Sequence, residues 1–328
     1  MDLKSCRISR KLIIAIASVG LIALLVLGYA RANSQYAYLE VGNAEPQTAL
    51  YPFNQSIIDF GGGVELCYNT GSFISTILPA DLERLKKMGM DVDSVKFPSF
   101  GIDHLNKAFF CSKMYTVDLP VYDNKPGAAA ENRQMVGRMK NVLFLPAPPS
   151  DTLSTLGIDV IERFVCLYSP ATKTIGFSTE VPDGFQLLTD ITSEWTVATL
   201  LGCGKRYYVD MSIENSPHSF FINTSFPKVN VVLPAKDSVL ANSELRTSLL
   251  VTIQGSFRAK FLNKAWMNIG DRAGNHPVFF ADTDFLESYV VNPMNFFLQD
   301  FVIDYPHNRI LLRPRADLLP ASSESAMP

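Results

Sequence analysis

The chain has 328 residues, 47% hydrophobic and 19% charged, with a formal net charge of −3. That composition belongs to a globular protein and excludes a disordered or collagen-like polymer. Residues 1–32 carry five Lys/Arg against Asp2, a net of +4, so the remainder carries −7 and lacks the basic stripe that nucleic acid requires.

Lys4, Arg7, Arg10 and Lys11 precede an uncharged run of 19 residues from Leu12 to Ala30. As a helix that run spans about 28 Å, close to the thickness of a bilayer core. The basic flank predicts a single-pass anchor with a cytoplasmic N-terminus and an exported C-terminal portion, periplasmic or extracellular. Ala30-Arg31-Ala32 also fits a signal-peptide cleavage pattern, so a chain secreted after cutting near Ala32 is the alternative.

Ser56 to Cys67 reads as a hairpin turning on Gly61-Gly62-Gly63. An apolar strand then enters Asn69-Thr70-Gly71-Ser72, and a second leaves it and ends at Pro79. Ala80 to Gly89 has Leu82 and Leu85 on one face and a glycine stop, which predicts a helix. Phe97 to Val121 reads as a hairpin with its turn at Gly101-Ile102-Asp103-His104. Tyr122 to Arg138 is polar and reads as a surface insertion, and Pro146-Ala147-Pro148-Pro149 as a rigid loop. Leu156 to Val165 holds a strand, Gly157 and a short helix, followed by a hairpin from Tyr168 to Phe177.

The same order then recurs. Ser219 to Pro234 is an apolar strand, Asn223-Thr224-Ser225, and a second apolar strand closed by proline. Leu249 to Phe261 alternates as a hairpin turning at Gln254-Gly255-Ser256. Pro293 to Val302 and Tyr305 to Leu312 repeat the short helix and closing hairpin. Asn69 and Asn223 stand 154 residues apart, about one small domain, so the chain reads as a duplicated lobe.

These matched segments resemble the aspartic proteases of the pepsin and retropepsin type, including the bacterial retropepsin-like family, over about residues 50–314. The resemblance implies a mostly β fold with short helices, built of two lobes related by a pseudo-twofold axis, with the N-terminal membrane helix added. The expected organisation is an anchor at 1–32, a stalk at 33–49, a first lobe at 50–177, an interlobe linker at 178–204, a second lobe at 205–314 and a flexible tail at 315–328. It also implies a flap over a peptide-binding cleft, with Phe100, His104 and Gln254 as its candidate residues.

The sequence departs from that family at its centre. The family places an aspartate in each loop, whereas this chain has Asn69 and Asn223. Two facing carboxyls that share a proton can activate a water and protonate a carbonyl. An amide is nearly the same shape but does neither. Ser225 stands where the family has glycine. No catalytic pair is intact, and Thr70, Gly71, Ser72, Thr224 and Ser225 are the expected supporting loop residues.

The expectation is therefore a membrane-anchored, proteolytically inactive protein that takes an extended peptide or partner protein between its lobes, without a cofactor or metal. An active aspartic endopeptidase is the alternative, and a purely structural ectodomain is a third reading. Cys67, Cys111, Cys166 and Cys203 read either as disulfide partners of undetermined pairing or as buried free thiols.

Overall fold

Short apolar runs separated by turn residues favour many strands over helices. The computed structural model describes residues 37–42, 47–102, 108–123, 134–197, 203–226, 228–240, 245–252, 255–281 and 289–314. Its first half contains β1 (Tyr38–Val41), β2 (Thr48–Asn54), β3 (Ile57–Asp59), β4 (Glu65–Asn69), β5 (Thr76–Ile77) and α1 (Pro79–Lys87). There follow β6 (Val92–Ile102), β7 (Ala108–Tyr122), β8 (Met135–Pro146), β9 (Ser154–Gly157), α2 (Ile158–Ile161), β10 (Val165–Ser169) and β11 (Thr174–Ser178).

The second half contains β12 (Gln186–Val197), β13 (Cys203–Ile213), β14 (Ser216–Ile222), β15 (Val231–Pro234) and a 3-10 helix (Ala235–Leu240). It ends with β16 (Arg246–Thr252), β17 (Gly255–Ile269), β18 (Arg272–Ala281), β19 (Tyr289–Val291), α3 (Pro293–Phe296), β20 (Phe301–Asp304) and β21 (Arg309–Leu312).

The halves share one pairing scheme. In the first, β4 runs parallel to β9, β9 is antiparallel to β5, and β5 runs parallel to β8. In the second, β14, β19, β15 and β18 stand in the same relations. A third, antiparallel sheet joins them in the order β2, β11, β10, β20, β21, β12. At its centre Tyr168 pairs with Phe301 and Val165 with Asp304. That sheet reads the same from either end, as a pseudo-twofold axis between β10 and β20 requires.

Local chemistry accounts for the punctuation. Gly61, Gly62 and Gly63 all have positive φ, so the hairpin between β3 and β4 needs residues without a Cβ. Pro79 opens α1, which buries Leu82 and Leu85 and stops near Gly89 at φ +76°. Apolar side chains from both halves form one continuous core, with Tyr68, Phe144, Phe177, Phe220, Phe280 and Phe301 buried in it. Full burial of each such aromatic contributes about 1.5–3 kcal/mol.

Several sequence expectations change here. The span 33–49 is not simply a stalk: β1 pairs with β8, and β2 begins at Thr48. The span 178–204 is not simply a linker, because β12 pairs with β21 and then with β13. The polar stretch Tyr122–Arg138 shrinks at both ends: β7 runs to Tyr122, and Met135–Arg138 opens β8. Alternation is weak in those stretches, and a neighbouring strand supplies the order that local pattern does not. Residues 12–30 and 315–328 lie outside the described residues. Among the described residues no helix is long and apolar enough to cross a membrane. Cys67, Cys111 and Cys166 are buried free thiols, and burial raises the pKa of Cys67 and of Cys166 to about 12.

Candidate functional site at the junction of the two halves

The first loop leaves β4 at Asn69 and the second leaves β14 just before Asn223. Thr70 and Thr224 are buried where the loops meet. Thr70 Oγ1 donates to the carbonyl of Ile222 at 3.0 Å, and Thr224 Oγ1 donates to the carbonyl of Tyr68 at 2.8 Å. Each hydroxyl also accepts from the opposite backbone: Thr70 N–H to Thr224 Oγ1 and Thr224 N–H to Thr70 Oγ1, both at 3.1 Å. These four hydrogen bonds cross the junction in two matched pairs, beside a longer one of 3.5 Å from the Thr70 hydroxyl to that of Thr224. A third tie is not matched by symmetry: Ser56 Oγ donates to the carbonyl of Thr224 at 2.7 Å, from a hairpin where Gln55 and Ser56 both have positive φ.

The two asparagines face their own loops in the same way. Gly71 N–H donates to Asn69 Oδ1 at 2.9 Å, and Ser225 N–H donates to Asn223 Oδ1 at 2.9 Å. A backbone N–H can only meet the oxygen of an amide, which fixes the orientation of both heads. Their Nδ2 groups, each a double donor, are turned away from the loop that holds the oxygen.

The pair is close but not an exact copy. A Cβ placed on Gly71 would stand 2.6 Å from Asn223 Oδ1, 2.7 Å from its Nδ2 and 2.8 Å from its Cγ. The Asn223 head therefore lies on the backbone of the first loop. A strict two-fold would bring the Asn69 head equally close to the Cβ of Ser225, nearer than atoms approach. Ser225 also donates its hydroxyl to Asn223 Oδ1 at 2.5 Å, a bond for which Gly71 has no equivalent.

Buttresses hold each loop from behind. Ser72 turns back to Asn69 through its N–H at 3.1 Å, and its own carbonyl accepts from Ile158 N–H at 2.8 Å. Asp159 accepts from Ser75 N–H at 3.1 Å and from Ser75 Oγ at 2.8 Å, while Ser75 Oγ accepts from Gly157 N–H. Burial raises the Asp159 carboxyl to about 6, against the lowering pull of the Ser75 donors. In the second half amides replace the carboxylate: Asn292 and Asn295 both donate to the carbonyl of Phe226, and Asn295 also to that of Val229. Beneath the first loop, the hydroxyls of Tyr68 and Tyr168 hydrogen-bond each other in the core. Burial drives both phenols well above their ordinary range.

The structure thus brings Asn69, Thr70, Gly71, Ser72, Asn223, Thr224 and Ser225 together. His104 and Gln254 lie outside the described residues, and Phe100 is placed only by its backbone, in β6 paired with Phe110. The roles of Ser56, Ser75, Asp159, Asn292 and Asn295 are not legible in the sequence pattern. Asp159 carried a signal, an acidic residue inside an apolar helix start. Among the described residues no group of three or more His, Cys, Asp or Glu side chains is placed to hold a metal ion.

No protein-family model matches the chain, and no curated protein matches it. Among solved structures it is similar to edgp, at 11% identity over 83% of this chain and 96% of that one, TM-score 0.48. Conglutin gamma, a basic 7S globulin from lupine seeds, is 10% identical over 83% and 96%, TM-score 0.45. The basic 7S globulin from soybean is 11% identical over 83% and 98%, TM-score 0.43. Likeness this distant leaves the reading of the site to its own geometry.

Proposed function

We propose that this is an exported, membrane-anchored protein of aspartic-protease-like build that binds an extended peptide or partner protein between its halves and does not cleave it. The observation that carries the reading is the junction itself: matched threonine bonds hold two asparagine loops where an acid pair would have to stand. Hydrolysis needs one group that takes a proton from water and another that gives one to the carbonyl. Two amides present donors and bound acceptors but no titrating group. Burial raises the Asp159 carboxyl to about 6, yet it is committed to Ser75 behind the loop and makes a support rather than a base. Peptide strands are commonly held by backbone hydrogen bonds along strand edges, which needs no catalysis.

The test uses the purified full chain in detergent and fluorescent decapeptide pools of mixed sequence. Anisotropy should report saturable binding, and mass spectrometry of the same samples between pH 3 and 7 should find the peptides intact. Specific cleavage by chains carrying Asn at both positions would overturn the inactive reading, and absence of any binding would overturn the peptide-binding one. Protease shaving of intact cells tests the topology: it should release a fragment starting within residues 31–50.

A further inference from the structure

An arginine stands beside the two asparagine loops without a partner for its charge. Arg206 lies on β13, and its guanidinium carbon sits 5.6 Å from the ring centre of Phe73 and 5.3 Å from that of Phe221. Phe73 belongs to the first loop, four residues after Asn69. Phe221 belongs to β14, two residues before Asn223. One cation therefore lies over an aromatic ring from each half.

Its surroundings are built to keep it there. Phe73 crosses to the second half and rests on Gly204, where a Cβ would come within 2.4 Å of the ring. Tyr208 pairs with Phe221 in the antiparallel ladder. Continuing that register by two residues in each strand sets Arg206 opposite Asn223, on the same face as Phe221.

Aromatic faces attract a guanidinium but accept none of its hydrogen bonds. Among the described residues Arg206 has no hydrogen-bond acceptor and no ion pair, and its Nε is buried without a partner. Glu194 is its cross-strand neighbour on the other side, yet the two make no ion pair. A fully buried arginine is almost never left without a partner; Arg206 is half-buried, with its Nε closed off from solvent. A planar fork of donors held rigid beside an interlobe site suits a carboxylate, which it can bind through two parallel bonds.

We propose that Arg206 is the anion-recognition residue of the site, so that the bound peptide presents a carboxylate, from an acidic side chain or from its C-terminus, next to Asn223. This rests on the peptide-binding reading above.

The test compares three pools of acetylated, fluorescein-labelled decapeptides with mixed neutral flanks. One has a central Glu and an amidated end, one a central Gln and an amidated end, and one a central Gln and a free C-terminal carboxylate. With the full chain in detergent at low salt, a carboxylate pool should bind about tenfold tighter than the neutral pool, as a charge-assisted hydrogen bond implies. The pool that gains identifies the source of the carboxylate. Arg206→Gln should erase the preference while leaving the neutral pool's affinity within about twofold. Arg206→Met keeps the stem between the rings and should do the same, so that a misfolded glutamine variant would not decide the outcome. Equal binding of all three pools, or a preference that survives in folded Arg206→Met, would overturn the proposal and leave the peptide-binding reading standing. No binding of any pool would overturn both.

Discussion

Thr70 and Thr224 each donate to the carbonyl two residues before the other and each accept from the other's backbone N–H. Losing either hydroxyl removes the acceptor of a buried N–H and a donor to a carbonyl in the opposite half. An orphaned buried group costs about 1–3 kcal/mol. Thr70→Ala and Thr224→Ala should each lower stability by an amount in that range or somewhat above it. Because the two hydroxyls share one network, the double variant should cost clearly less than the sum. Thr→Ser at either position keeps the oxygen and should retain most of the stability. Urea unfolding of the five variants reads this directly, and strict additivity would mean that the two hydroxyls do not act as a unit.

Gly71 is under a steric constraint from the other half. A methyl there would meet three atoms of the Asn223 head at 2.6–2.8 Å. Gly71→Ala should therefore destabilise the junction, because the Asn223 head must move off its hydrogen bonds with Ser225. Combining it with Asn223→Ala or Asn223→Gly should recover part of the loss, since the three atoms nearest the added methyl all belong to that head. An alanine at Gly71 with an unchanged thermal midpoint would place the Asn223 side chain elsewhere.

Asp159 supplies a pH dependence with a defined sign. Its folded pKa, about 6, lies above the ordinary value of 3.8. A carboxyl raised on folding favours the folded state most when it is protonated. That contribution is full below about pH 4 and is lost as pH rises through about 6. Asp159→Asn removes the titration while keeping an oxygen for Ser75. The stability difference between the parent and Asp159→Asn should therefore shift in the parent's favour as pH falls from 7 to 4. A difference that stays flat over that window would mean the carboxyl is not desolvated.

How far the sequence carries can be judged from particular residues. The duplication was legible because a strand, an Asn-Thr turn, a second strand and a closing proline leave strong local marks. Thr70 and Thr224 followed from the same marks. The role of Ser56 did not, because its partner is the carbonyl of Thr224, 168 residues away, and hydrogen bonds of that range leave no periodicity. Arg206 was equally hidden: in sequence it sits after Gly202-Cys203-Gly204-Lys205 and resembles an unremarked basic turn. Only the two rings that it meets, Phe73 and Phe221, give it a site. The span 33–49 failed differently, since β1 owes its order to β8 rather than to its own alternation.

The unmodified chain should not hydrolyse peptides between pH 3 and 7, since neither central amide can act as a general base. Loss of such a base costs factors of roughly 100 to 10,000 in rate, and here the proton-donating partner is missing too. Asn69→Asp with Asn223→Asp restores two carboxyls with almost no change in volume. The loops already offer each of them a backbone donor, from Gly71 and Ser225. The Ser225 hydroxyl adds a second donor on one side only, and donors to a carboxylate favour its ionised form. The carboxyl at 223 should therefore ionise first and leave the shared proton with the one at 69. The double variant should gain weak cleavage at acid pH, and adding Ser225→Gly should shift its pH profile by removing that bias. Each single variant should stay inactive, because one carboxyl cannot fill both roles. Pepstatin should bind the double variant more tightly than the parent, which has no acid pair to grip its hydroxyl. Robust pepstatin-sensitive proteolysis by the parent chain, with both asparagines intact by mass spectrometry, would sink the inactive reading.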